Sequence, residues 1–260
     1  MVEFDWSVSL LLLFFCVAMV AGWVDTLAGG GGLIALPVLL LAGVPPVNAL
    51  ATNKSQGVIG TLTATLTLFF KGHLRGRHLL WLMLMAAIGS AFGTWLVQHI
   101  DTGWLSWFIP VLLILVALYF LLTPKLGEME VEARMTERRW ASSIVPLLGF
   151  YDGVFGPGTG SLFAASGVAF RGQTLLTATI RAKLLNFTTN VTSLVLFAAG
   201  GQVVWIIGGA MMLGQIVGAY VGSHTMLAGG ARLIRPLVIG ICLLMSISQI
   251  LQHFGWLPWQ

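Results

Sequence analysis

The sequence predicts an all-α polytopic membrane protein built from two inverted-topology repeats of about five hydrophobic segments each. Three observations predict it. Of the 260 residues, 57% are hydrophobic and only 8% charged, and the mean hydropathy is +0.93; soluble domains carry about 25% charged residues. The apolar residues fall into long runs, and about 20 such residues suffice to cross a bilayer as a helix. Finally, a set of unusual residues recurs in one order in the two halves of the chain. This composition excludes an ordinary soluble enzyme, a nucleic-acid-binding module and a disordered chain. The pI near 9.4 rests on a formal excess of four charges. Most of the basic residues lie in short loops, where membrane orientation accounts for them, so no nucleic-acid partner is expected.

The first run covers residues 8–28, after Glu3 and Asp5; no basic n-region or small-residue cleavage site marks it for removal. A short run, Leu33 to Ala42, follows Gly29 to Gly32. Ten helical residues cover about 15 Å, half the hydrocarbon thickness, which predicts a half-helix ending near the midplane. An unusually short spanning helix is the other reading. Runs at 47–70, 78–97 and 104–122 complete a first repeat over 1–122. Residues 123–142 form a polar cytoplasmic linker with Lys125, Arg134, Arg138 and Arg139. The second repeat, 143–260, has runs at 143–157, 174–200, 203–223 and 233–252, and a short one, Ser161 to Phe170, behind Gly156 to Gly160.

The repeat is legible residue by residue. Gly22-Trp-Val-Asp25 with Gly29 to Gly32 answers to Gly149-Phe-Tyr-Asp152 with Gly156-Pro-Gly-Thr-Gly160. Lys54 falls on Lys183, Gly57 on Asn186, Thr61 on Asn190, and Gly89-x-x-x-Gly93 on Gly218-x-x-x-Gly222. The basic loops, Lys71 to Arg77, the linker, and a turn before Arg232 and Arg235, belong in the cytoplasm. An odd number of crossings per half then inverts the second half and places both termini in the periplasm. Trp81, Trp95, Trp104, Trp107, Trp205, Trp256 and Trp259 lie near run ends, where an interfacial belt puts indoles. The small-residue series Gly89/Gly93 and Gly214/Gly218/Gly222 serves packing inside the fold ahead of a homodimer interface.

Asp25, Lys54, Asp152, Arg181 and Lys183 stand within or beside apolar runs. A charge at the bilayer centre costs at least about 2.5–3.5 kcal/mol, so each needs a partner, water or a ligand. One reading is structural: Asp25 pairs with Lys54 and Asp152 with Lys183. The other counts three cations against two anions and finds a net positive site for a small anion. The substrate site then comprises Gly29, Gly30, Gly31, Gly32, Asn53, Lys54, Gly158, Thr159, Gly160, Lys183, Asn186 and Asn190. Bare glycine amides at helix N-termini favour an anion, and Gln56, Thr188, Thr189 and Thr192 add neutral hydrogen-bonding groups. Asp25 and Asp152 orient the lysines or take a coupling H⁺ or Na⁺. The five histidines sit at loops or run ends, and no HExxH, GxSxG or Walker motif occurs. Cys16 and Cys242 are isolated inside apolar runs. No enzyme activity, cofactor or metal site is expected.

Ala21-Gly-x-x-Asp25 with Gly29 to Gly32 and Asn48-Ala-Leu-Ala-Thr-Asn-Lys54, and Gly149 to Gly160 with Ala182-Lys-Leu-Leu-Asn186, resemble the TauE/SafE sulfite-exporter family of membrane transporters. The resemblance covers nearly the whole chain. It implies a bacterial inner-membrane permease for small sulfur-containing anions such as sulfite or organosulfonates. Arg181 has Thr52 as its counterpart and takes no shared role. The expectation is a secondary transporter working by alternating access; a passive anion channel or a ligand-sensing membrane subunit is the alternative.

Overall fold

The computed structural model describes residues 7–74, 76, 78–99, 114, 118, 121–122 and 129–253, without the side chains of Pro37, His78 and several residues beyond Gly229. Outside the described residues lie most of the 104–122 segment, the Asp101 turn, Glu3, Asp5, Arg75, Arg77, Lys125, Trp104, Trp107, Trp256 and Trp259. So do the side chains of Arg232, Arg235 and Cys242.

Among the described residues the fold is helical throughout: α1 (Val8–Ala28), α2 (Gly31–Leu41), α3 (Pro46–Phe70), α4 (His78–Val97), α5 (Glu137–Val154), α6 (Thr159–Arg171), α7 (Leu175–Ala199) and α8 (Trp205–His253). Local chemistry sets the ends. Ser7, Thr136 and Thr174 cap α1, α5 and α7, each accepting a first-turn N–H on its hydroxyl. Helix α1 stops at Gly29, whose φ of 74° is left-handed and whose N–H donates to Asp25 O. Both short helices form where the sequence places them: 11 residues in α2 and 13 in α6. At about 1.5 Å per residue neither reaches across a hydrocarbon core of about 30 Å.

The exterior is apolar, and the interior holds polar and charged groups among its apolar core. Leu12, Leu13 and Val20 on α1, Leu84, Ile88 and Phe92 on α4, and Leu213, Val217 and Val221 on α8 face outward. Buried inside are Asn53, Lys54, Gln56, Asp152, Lys183, Asn186, Asn190 and Gln215. A chain whose greasy side is its surface has hydrocarbon for a solvent. Three helical segments, Val8–Ala28, Leu79–Val97 and Trp205–Gly229, are long and apolar enough to span. Helices α3 and α7 match them in length, with 25 residues each, and owe their lower hydropathy to the polar face they turn inward.

Glycines set the tightest helix crossings. A Cβ on Gly89 would meet Pro146 and one on Gly93 would meet Phe150, so α4 and α5 run side by side in the same direction. In the same way Gly214 lies on Phe15, Gly218 on Met19 and Gly222 on Trp23, so α8 runs parallel to α1. Helix α8 also runs parallel to α3, with Val204 N–H donating to Thr52 Oγ1 at 3.1 Å and Gln215 meeting Gln56 further along. Both glycine series therefore serve packing within the chain, with backbones close enough for dense van der Waals contact.

Two boundaries differ from the sequence reading. Helix α5 starts at Glu137, inside the expected linker, because Thr136 caps it and a helical turn of Glu-Arg-Arg-Trp precedes the apolar stretch. Apolar periodicity reports only the part that meets lipid. The turn expected between residues 223 and 233 is also replaced: α8 continues from Trp205 to His253 over 49 residues. Gly229 and Gly230 alone weaken a helix by only about 1 kcal/mol each, which does not end one.

Candidate functional site

The chemistry concentrates where α1, α2, α3, α5, α6 and α7 meet. Each buried lysine is held by the opposite half of the chain. Lys54, on α3 and 2% exposed, lies 2.9 Å from Asp152 Oδ2 on α5 and donates to Asp152 O at 2.6 Å. Lys183, on α7 and fully buried, lies 3.3 Å from Asp25 Oδ2 on α1 and also donates to Asp25 O. The pairs are therefore crossed with respect to the sequence reading, which set Asp25 against Lys54 and Asp152 against Lys183. The physical reason lies in the helix ends. Asp25 and Asp152 occupy the last turns of α1 and α5, whose unsatisfied carbonyls attract a cation. The lysine reaching each end comes from the long polar helix of the other half, α3 for Asp152 and α7 for Asp25.

The glycine turns touch. A Cβ on Gly29 would overlap the backbone of Gly160 and Ser161, and Ser161 Oγ donates to Ala28 O. The breaks before α2 and α6 thus stand back to back, each ending in a helix N-terminus with N–H groups that no helical carbonyl can accept. In α2 one of them, Gly31 N–H, donates to Asp25 Oδ1 at 3.1 Å. At the other turn, Gly156 has a φ of 95°, and a Cβ there would sit 2.7 Å from Lys54 Nζ. Only glycine fits on both counts.

A cavity opens at this junction. The first half lines it with Asp25, Gly29, Gly31, Gly32, Asn53 and Lys54, and the second with Gly158, Asn186 and Asn190. These are nine of the expected residues. Its free volume is about 30 Å³, room for about two waters, since one takes at least about 10–15 Å³ on this measure. Gly30, Thr159, Gly160, Asp152 and Lys183 lie in the surrounding shell instead of on the wall. Thr159 Oγ1 turns back to Gly156 O at 2.6 Å. Thr188, Thr189 and Thr192 likewise spend their hydroxyls on carbonyls of α7.

Arg181 does not belong to the site. Its guanidinium lies 3.1 Å from Glu137 Oε1 and is 22% exposed; Arg171 reaches the same carboxylate at 3.3 Å. Among the described residues two lysines then face two aspartates, so the expected excess of one cation is not found at this site. Four further residues complete the wall: Gln56, Gly57, Gly156 and Gln215. Gln215 is the one that sequence reasoning missed. The residue at its repeat position in the first half is Ala86, so a search for mirrored polar groups passes over it; a carboxamide in the middle of the 203–223 run was the available signal.

Comparisons with known proteins point to one family of membrane transporters. Residues 14–248 match the family described as "Sulfite exporter TauE/SafE". The chain is 41% identical over 252 residues to a "Probable membrane transporter protein" of Haemophilus influenzae, covering 97% of this chain and 98% of that one. It is 42% identical over 243 residues to "Probable membrane transporter protein ORF9" of a Sinorhizobium species, covering 94% and 93%. A third relative, "Probable membrane transporter protein YfcA" of Escherichia coli K12, is 42% identical over 249 residues, covering 96% and 93%. No solved structure matches the chain. With the family match spanning most of its length, this membrane protein belongs to the sulfite exporter TauE/SafE family of transporters.

Proposed function

We propose that the chain is a secondary transporter of the bacterial inner membrane that moves a small sulfur-containing anion, sulfite or an organosulfonate, by alternating access. The single observation that carries this reading is the crossed pair of buried ion pairs around a polar cavity: each half supplies the lysine that the other half's aspartate holds. A site made of both halves changes accessibility when one half rocks against the other.

Helix direction supports inversion of the halves. Helices α1, α3 and α8 run one way, and α4 and α5 run together. Only seven residues separate α3 from α4, too few to recross a bilayer, so α4 runs back against α3. That sets α5, the first long helix of the second half, against α1. The same directions gather the Lys71 turn, the start of α5 at Glu137 and the end of α6 at Arg171 at one end of the bundle, which we assign to the cytoplasm. The start of α1 then faces the periplasm.

The anion enters the cavity against Lys54, the one lysine on its wall among the described residues. The glycine turns bring first-turn residues of α2, Gly31 and Gly32, and the α6 cap residue Gly158 to its wall, and Asn53, Asn186 and Asn190 add carboxamides. A charge-balanced site gains one net negative charge when an anion arrives, which a low-dielectric interior penalises. A proton or Na⁺ taken by Asp25, whose carboxylate reaches the cavity, restores the balance and couples the two fluxes. Thermal unfolding of the purified chain against sulfite, thiosulfate, sulfoacetate and simple carboxylates tests the substrate class. A ligand that binds the folded state raises its stability by about 2.7 kcal/mol at a hundredfold excess over Kd. Stabilisation by the sulfur oxyanions but not the carboxylates is the expected result; the reverse order contradicts it.

A further inference from the structure

We propose that Gln215 is a positioning residue for the substrate, acting through Gln56 to fix which end of the Asn53 carboxamide faces the cavity. The inference rests on the cavity being the substrate site.

Three side-chain amides form a directed relay. Gln215 Nε2 on α8 donates to Gln56 Oε1 on α3, and Gln56 Nε2 donates to Asn53 Oδ1 at 2.7 Å. Gln56 and Asn53 thus each spend their oxygen on the amide before them. What remains at the end of the chain is the Asn53 NH₂ group, which stands over the first turn of α2: a Cβ on Gly32 would lie 2.9 Å from Asn53 Nδ2. The relay therefore delivers a donor to the cavity wall beside Gly32 and Lys54. A carboxamide left to itself can present either its oxygen or its NH₂. An anion is bound by one orientation and repelled by the other. Asn186 and Asn190 make the matching arrangement from the other half, Asn190 Nδ2 donating to Asn186 Oδ1 at 3.2 Å.

The fold makes room for Gln215 deliberately. Its side chain is 2% exposed and fills a slot cut by two glycines from two helices. A Cβ on Gly60 of α3 would collide with Gln215 Oε1, and one on Gly22 of α1 would sit 2.6 Å from the same atom. The mirrored slot in the other half, beside Gly149, holds Ala86 and has no amide. The two walls are therefore unequal, and Gln215 is the residue that makes them so.

Gln215→Met keeps the volume of the side chain and removes the donor. Gly60→Ala keeps helix α3, which alanine favours over glycine, and expels the Gln215 tip. The test titrates the full-length chain in detergent with sodium sulfite and reads the apparent Kd from thermal stabilisation. The expected result is a roughly tenfold weaker Kd for both variants, with the ligand-free melting point of Gly60→Ala preserved. A cycle with Gln56→Met separates positioning from packing: if Gln215 acts through Gln56, Gln56→Met/Gln215→Met binds no more weakly than Gln56→Met alone. Wild-type affinity in Gln215→Met, or additive losses in the double variant, overturns the proposal while Asn53→Leu still weakens sulfite binding. Unchanged binding in Asn53→Leu and Lys54→Ala as well, or no sulfite binding by the wild type, overturns the site itself and this inference with it.

Discussion

Lys54 Nζ lies 2.9 Å from Asp152 Oδ2, although the two residues stand 98 positions apart and in different halves of the chain. Lys183 and Asp25 repeat the relationship in mirror image at 3.3 Å. The halves are thus stitched together twice, at the points where their helices break; the Lys54 stitch is buried and the Lys183 stitch part-buried on its Asp25 side. A buried ion pair adds little net stability, yet losing one partner leaves a bare charge in a low-dielectric interior.

This asymmetry gives the first prediction. Lys54→Met strands the Asp152 carboxylate and should lower stability by about 3–5 kcal/mol. Lys54→Met with Asp152→Leu removes both charges and should recover most of that loss while abolishing transport. Thermal unfolding in detergent, alongside a flux assay, checks both halves of the statement.

Gly29 and Gly43 separate backbone conformation from close contact. Both have positive φ, 74° and 80°, but a Cβ on Gly43 meets nothing within 4 Å, whereas one on Gly29 overlaps the backbone of Gly160. Gly43→Ala should cost about 1–2 kcal/mol from its left-handed conformation alone. Gly29→Ala adds the overlap and should yield little folded protein in the membrane. Size-exclusion profiles of the two variants from equal cultures decide it.

The helix crossings make a similar contrast. Gly89→Val and Gly218→Val force α4 from α5 and α8 from α1, since a Cβ at either site meets a backbone carbonyl of the neighbouring helix. Gly209→Val projects into open space. The first two should lower the melting temperature by about 5–10 °C, taking about 2–4 °C per kcal/mol for a domain of about 150–250 residues and overpacking costs toward the upper end of about 1–3 kcal/mol. The third should leave it nearly unchanged.

Glu137 holds both Arg171 and Arg181, but its carboxylate is 28% exposed. Screened pairs of this kind contribute about 0–1 kcal/mol. Glu137→Gln should therefore leave thermal stability within that range, far short of the effect of breaking a lysine pair. A larger loss would mean that this cluster, not the central one, carries the fold.

The site was legible in the sequence wherever a residue type clashed with its surroundings. Asp25, Lys54, Asp152 and Lys183 stood out because charge inside an apolar run has to be accounted for, and the glycine clusters because they interrupt such runs twice in register. Which aspartate meets which lysine was not legible. A repeat equates positions between halves and is silent on whether each half folds on itself or exchanges partners. Arg181 read as a buried charge because its partner, Glu137, lies 44 residues away in a polar stretch that hydropathy marks as loop. Gln215 escaped because an uncharged amide costs little to overlook, and its significance comes from Gly22 and Gly60 on other helices. The continuous course of α8 also went unread, because a Gly-Gly pair followed by arginines resembles a loop until tertiary structure holds it helical.

The central claim is that two mirrored lysines, buried between the halves, serve anion movement. Sulfite uptake into proteoliposomes holding equal amounts of correctly folded wild type, Lys54→Ala and Lys183→Ala tests it most directly, with folding checked by size exclusion. The account predicts uptake by the wild type that an imposed proton or Na⁺ gradient drives uphill, and none above empty vesicles for either variant. Wild-type flux in both folded variants would contradict it.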